Sequence, residues 1–127
     1  MCLDKLTKFK VEPARADGLV KGWKVFEVNG DELLGDCIED QKTRGWNKAD
    51  TSQTVGRRPK YRSGYHIWIT KEGAADWCDE ENDNEVVVSV YYMPEDVTAK
   101  GLQCDHKCVV VKRMWIEPHD YDAAVKK

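Results

Sequence analysis

Residues 20 to 28, Val-Lys-Gly-Trp-Lys-Val-Phe-Glu-Val, alternate as a β-strand does, with Trp23 and Val25 on one face and Phe26 and Val28 on the other. Asn29-Gly30 follows at once, and both residues tolerate the positive φ of a type I′ turn, so a hairpin is expected with a return strand over residues 31 to 38. The densest aromatic run, residues 61 to 77, organises the middle of the chain. Gly64 breaks a loop, residues 65 to 70 are aromatic or β-branched apart from His66, and Thr70 is placed to cap a helix over residues 71 to 80. Ala74, Ala75 and Trp77 are expected on its inner side. Residues 85 to 93 read as a central strand, because Val86, Val88, Val90 and Tyr92 line one face while Val87, Tyr91 and Met93 line the other.

The remaining stretches are weaker. Residues 1 to 19 read as an arm or short edge strand, and residues 39 to 60 as a long loop with a short strand around Trp46. Residues 102 to 107 read as a polar loop, 108 to 117 as the last strand, and 118 to 127 as a tail. Strands outnumber helices and their connections are mostly antiparallel. The expected fold is therefore one α+β domain with a twisted sheet and one short helix packed on it.

Composition agrees with a single domain: 127 residues, 41% hydrophobic and 34% charged, support one core and exclude disorder over most of the chain. No apolar run approaches the ~20 residues of a membrane span, and no signal-peptide core opens the chain. A cytoplasmic protein is expected. The five cysteines, Cys2, Cys37, Cys78, Cys104 and Cys108, lack the even, dense spacing of a disulfide framework and are read as reduced thiols. Cys2 after the initiator methionine offers one known route to an N-terminal nucleophile, although most such cysteines do no chemistry.

Charge is uneven beneath the net value of −3. Residues 42 to 62 hold Lys42, Arg44, Lys48, Arg57, Arg58, Lys60 and Arg62 against Asp50 alone, whereas residues 72 to 85 hold acids and no base. A basic loop of this length is a candidate partner-binding surface, formed by Trp46, Arg57, Arg58, Tyr61, Arg62, His66 and Trp68. The same residues could contact phosphates and stack a base, but the adjoining acidic segment would repel a polyanion, so nucleic acid is not the expected partner.

Chemistry-bearing motifs are sparse. Cys104-Asp-His-Lys-Cys108 gathers two thiols and His106 within five residues, yet tetrahedral zinc needs a fourth ligand from Cys2, Cys37, Cys78, His66 or His119. The plainer reading is thiols and an imidazole in and beside a loop. His66 is read as a half-buried, hydrogen-bonded histidine, or as a site residue over a cleft with Tyr61 and Trp68. No phosphate-binding or serine-hydrolase motif is present, and no cofactor is expected.

Taken together, Met1-Cys2-Leu3, Gly22-Trp-Lys-Val-Phe26, Tyr61-Arg-Ser-Gly-Tyr-His66, Glu72-Gly-Ala-Ala75 and Val109-Val-Val-Lys-Arg-Met114 resemble a family of small uncharacterised bacteriophage proteins. The resemblance implies a non-enzymatic accessory factor acting on a host protein, in some cases as an inhibitor of host defence. Gly64-Tyr-His-Ile-Trp-Ile-Thr-Lys-Glu-Gly-Ala-Ala75 is also similar to ADP-ribosyltransferase-like domains, which implies a nucleotide-binding enzyme using His66, Tyr61 and a carboxylate, for which Glu85 or Glu117 would have to serve.

Overall fold

In the computed structural model, residues 3–11, 13, 15–35, 42–49, 54–55, 61–78 and 84–126 are described. The elements in chain order are β1 (Lys5–Leu6), β2 (Val20–Asn29), β3 (Glu32–Gly35), β4 (Gly45–Lys48), β5 (Thr54–Val55), β6 (Tyr61–Arg62), β7 (Tyr65–Trp68), α1 (Lys71–Trp77), β8 (Glu85–Tyr92), β9 (Val97–Gln103), β10 (His106–Val111), β11 (Arg113–Ile116) and α2 (Pro118–Val125). A short 3₁₀ turn, Pro94–Asp96, links β8 to β9. All strand pairings are antiparallel among the described residues, so the expected α+β class holds, with two helices rather than one.

The main sheet runs β1-β9-β10-β7-β2-β8-β11-β4, with β3 beside β2, and β5 pairs β6 separately. Only Lys112 divides β10 from β11, yet β10 pairs β7 and β9 whereas β11 pairs β8 and β4. The path from β10 through β7, β2 and β8 to β11 therefore returns to the strand it started on. It closes a small barrel whose fourth side is the bent β10–β11 strand. The expected single strand over 108 to 117 is thus two, and the bend has a cause. The ladder to β9 shifts register between Val110 and Val111, and an added Cβ on Gly64 would lie 2.6 Å from the Val111 carbonyl oxygen, so a glycine is needed where the strand turns.

Alternation sorts the side chains into two clusters. Val20, Phe26, Ile67, Val88, Val109 and Met114 belong to the larger one, which Tyr121 and Ala124 of α2 join. Val25, Trp68, Cys108 and Val110 face the other way and pack with Ala74 of α1 and with Leu3. Trp68 and Val88 are accordingly in different core clusters, in strands that both flank β2 without pairing with one another. Helix α1 ends at Trp77 rather than residue 80, is capped by Thr70 (Gly73 N–H to Oγ1, 3.1 Å), and buries Gly73 and Ala74 while Ala75 is exposed.

Two further expectations change. Gly30 has φ +66° while Asn29 ends β2, so the hairpin's central residues are Gly30-Asp31, one position later than the Asn-Gly signal suggests. Glycine first with positive φ is the signature of a type II′ turn. The tail expected over 118 to 127 is helix α2, started by Pro118, whose missing N–H costs nothing at a helix's first turn. Residues 102 to 107 are not a loop but the tip of the β9–β10 hairpin, in which Cys104 and Asp105 take φ of +50° and +66°.

Candidate functional site

Tyr61 and His66 are brought together, but inside the protein. Tyr61 Oη lies 2.8 Å from His66 Nε2 and accepts the Leu3 N–H at 2.7 Å, and the Lys24 ammonium donates to the His66 carbonyl at 3.0 Å. Tyr61, His66 and Trp68 are 7%, 9% and 1% exposed. A partner surface shared by these three with Trp46 is therefore not formed: three of the four lie in the interior, and the network ties the N-terminal arm to β7. Glu85, the carboxylate of the enzyme reading, stands opposite Glu27 on β8, a strand separated from β7 by β2 and so about 10 Å away. Glu117 caps α2 and pairs with Arg15 at 2.6 Å.

The cysteine-rich hairpin is likewise dispersed. Cys104 is exposed at the turn, His106 Nε2 is 2.8 Å from Asp76 Oδ2 on α1, and Cys108 is fully buried. Burial pushes the Cys108 thiol up to about 12, with nearby Lys24 opposing the shift, so it is a thiol rather than a thiolate ligand near neutrality. Among the described residues no three His, Cys, Asp or Glu side chains gather as metal ligands, and the trio Cys104, His106 and Cys108 is not brought together. Cys2, Cys37, Arg57 and Arg58 lie outside the described residues. For Arg62 the backbone position opposite Thr54 is what the structure gives.

Trp46 behaves differently. It is 41% exposed on β4, which ends the sheet, and it stands directly opposite Trp115 of β11 with ring centroids 5.4 Å apart, edge to face. The Arg113 guanidinium carbon lies 4.6 Å from the Trp46 ring centroid. Asp96, 5% exposed, holds that guanidinium through Nε and Nη2, each 3.0 Å from Oδ2. Among the described residues the backbone at this edge is also open. Ala49 N–H donates to the Lys112 carbonyl at 2.8 Å, and antiparallel alternation from that pair directs the N–H and C=O of Asn47 toward β11 and those of Trp46 and Lys48 away from it. Arg113 and Trp115 escaped the sequence reading because only the register of β4 on β11 places them around Trp46.

A concavity of about 290 Å³ lies along β8 beside α2, lined by Lys21, Trp23, Lys71, Val87, Ser89 and Asp120 among others. Ser89 donates to Asp120 Oδ2 at 3.3 Å, and the Lys21 ammonium lies 5.4 Å from the Trp23 ring centroid. Compared with family models, curated proteins and solved structures, the chain has no significant match to any of them. No helix among the described residues is long and apolar enough to cross a membrane.

Proposed function

We propose that this domain works by holding another protein, without covalent chemistry of its own, and that the resemblance to small phage proteins makes the partner a host protein. The observation that carries this reading is Trp46, a large exposed aromatic on an edge strand, fixed between Trp115 and an Arg113 already locked by buried Asp96. Tryptophan and arginine dominate interface hot spots, and a side chain that is ordered before binding loses little further freedom on contact. The outward N–H and C=O of Trp46 and Lys48 add the main-chain groups through which an extended partner segment is recognised.

The enzyme reading draws less support. His66 and Tyr61 are buried and bonded to one another, and the carboxylates it would use stand on a separate strand or at a helix cap.

Photocrosslinking tests the proposal. A domain carrying benzoylphenylalanine in place of Trp46 should form one dominant adduct with a bacterial lysate protein, displaced by unlabelled wild-type domain. Trp46→Ala should abolish that displacement with the melting temperature unchanged. The reading is overturned if no adduct forms, or if radiolabelled NAD transfers ADP-ribose to lysate proteins in a manner lost in His66→Ala.

A further inference from the structure

Among the described residues strand β8 has an open edge beyond Tyr91, and its cause is in the chain. The Val28 N–H donates to the Asn84 carbonyl at 2.7 Å, and with Val28 in register with Asn84 this fixes which residues of β8 bond to β2. Alternation gives those bonds to Val86, Val88 and Val90, and turns the N–H and C=O of Val87, Ser89 and Tyr91 toward the opposite edge. There Tyr91 is met by Trp115 of β11. Continuing that register would set residue 117 opposite Ser89 and residue 119 opposite Val87. Pairing stops at Tyr91 and Trp115, β11 ends at Ile116, and Pro118 starts α2, so the chain leaves that track. Among the described residues, the main-chain groups of Val87 and Ser89 on this edge meet no partner, and they face the groove between β8 and α2.

We infer that this groove takes an extended acidic peptide, which adds to β8 as an antiparallel strand along the track that β11 abandons. Main-chain recognition of this kind needs an alternating set of donors and acceptors on a strand edge, which Val87 and Ser89 supply. Charge complementarity selects the class. Lys21 and Lys71 line the groove without a carboxylate partner among the described residues, while its one aspartate, Asp120, already accepts from Ser89. Pairing geometry then assigns positions. Peptide residues opposite Ser89 and Val87 point to the face of Trp23 and the lysines, and the residue between them points to the side of Ala123 and Ala124. A hydroxyl suits the place opposite Ser89, near Asp120, a carboxylate the place opposite Val87, and a small residue the place between. In chain direction the ligand reads Thr-Ala-Glu. A volume of about 290 Å³ matches a short segment rather than a folded domain.

The probe is a Thr-Ala-Glu-Val peptide, acetylated at its N-terminus and fluorescein-labelled at its C-terminus, titrated into the intact chain at low salt. Saturable binding is expected. It should weaken at least tenfold in Lys21→Glu/Lys71→Glu, and equally when Glu in the peptide becomes Lys. N-methylation of the peptide's Thr and Glu amides should abolish binding, whereas N-methylation of the Ala amide, which points away from β8, should leave it unchanged. Amide exchange at Val87 and Ser89 should slow at least tenfold on saturation, and Trp46→Ala should bind as wild type, which separates this site from the one under Proposed function. Three results would overturn the proposal: no saturable binding, equal binding of the peptide methylated at Thr and Glu, or protection of Val87 and Ser89 that rises with protein concentration alone, which would make the occupant a second copy of the chain.

Discussion

The Tyr121 hydroxyl accepts the Leu33 N–H at 3.0 Å, joining the last helix to the first hairpin across 88 residues of chain, and it donates onward to the Lys42 carbonyl at 2.8 Å. Tyr121 is 2% exposed, so the Leu33 N–H has been withdrawn from water and depends on that one oxygen. Tyr121→Phe should leave the Leu33 N–H unpaired and lower stability by about 1–3 kcal/mol, read as an earlier midpoint in urea with an unchanged slope. A change within a few tenths of a kcal/mol would mean that the Leu33 N–H is satisfied without this hydroxyl.

Gly64→Ala addresses the bend between β10 and β11. The added methyl would sit 2.6 Å from a backbone oxygen and 2.9 Å from Val110 Cγ1, and neither strand can yield without disturbing the β7–β10 ladder. A loss of about 1–3 kcal/mol is expected by chemical denaturation. Gly30→Asn, at a turn position with nothing near its absent Cβ, should cost less, since Asn tolerates positive φ.

Alkaline pH should destabilise the protein through Cys108 and Tyr92. Burial raises both groups in the folded chain, the thiol to about 12, so the unfolded chain sheds these protons first and is favoured as pH rises. The contribution is fully present below about pH 8.5, the ordinary thiol value, and is lost progressively between there and about pH 12. Melting temperatures measured from pH 7 to 11 should fall less steeply in Cys108→Val than in the wild type. Parallel curves would show that the thiol is not withdrawn from solvent.

Iodoacetamide should distinguish the two cysteines of the β9–β10 hairpin. Cys104 is exposed and should alkylate within minutes at pH 8, whereas fully buried Cys108 should react only with denaturant present. Mass spectrometry of the labelled peptides reads this directly. Equal rates would contradict the packing of β10 against β7.

Amide exchange in the free protein should alternate along β8. Val86 and Val88, bonded to β2, should be protected, while Val87 and Ser89, facing the groove, should exchange faster by at least an order of magnitude. Uniform protection along the strand would mean that its outer edge is covered.

Local patterning made the strands legible, because burial on one or both faces leaves a period of two that is readable from β2 and β8 alone. The cap at Thr70 and the central place of β8 followed from the same residue-level rules. What escaped was decided between distant segments. The hairpin turn moved one residue because pairing of Asn29 with Glu32 outweighed the local taste of Asn-Gly. Helix α2 went unread because its apolar side amounts to Tyr121, Ala124 and Val125, too little to announce itself without the barrel it covers. At the candidate site, exposed Trp46 was legible as a type of residue, but Tyr61, His66 and Trp68 shared its chemistry and not its position. Burial, which alternation leaves undecided for a strand covered on both faces, separated them.

The bent β10–β11 strand also sets an order on synthesis. Strands β7, β2 and β8 can meet once residue 92 has been made, yet the barrel they line has no closing side until residues 106 to 116 exist. A nascent chain emerging from the ribosome therefore carries Phe26, Ile67 and Val88 on an open, unprotected sheet while the residues from 93 to 116 are translated. Closure then depends on contacts between segments far apart in the chain, which are slow to form. A stop codon in the region of Lys112 would leave a truncated product that exposes its core, prone to aggregation and open to proteases.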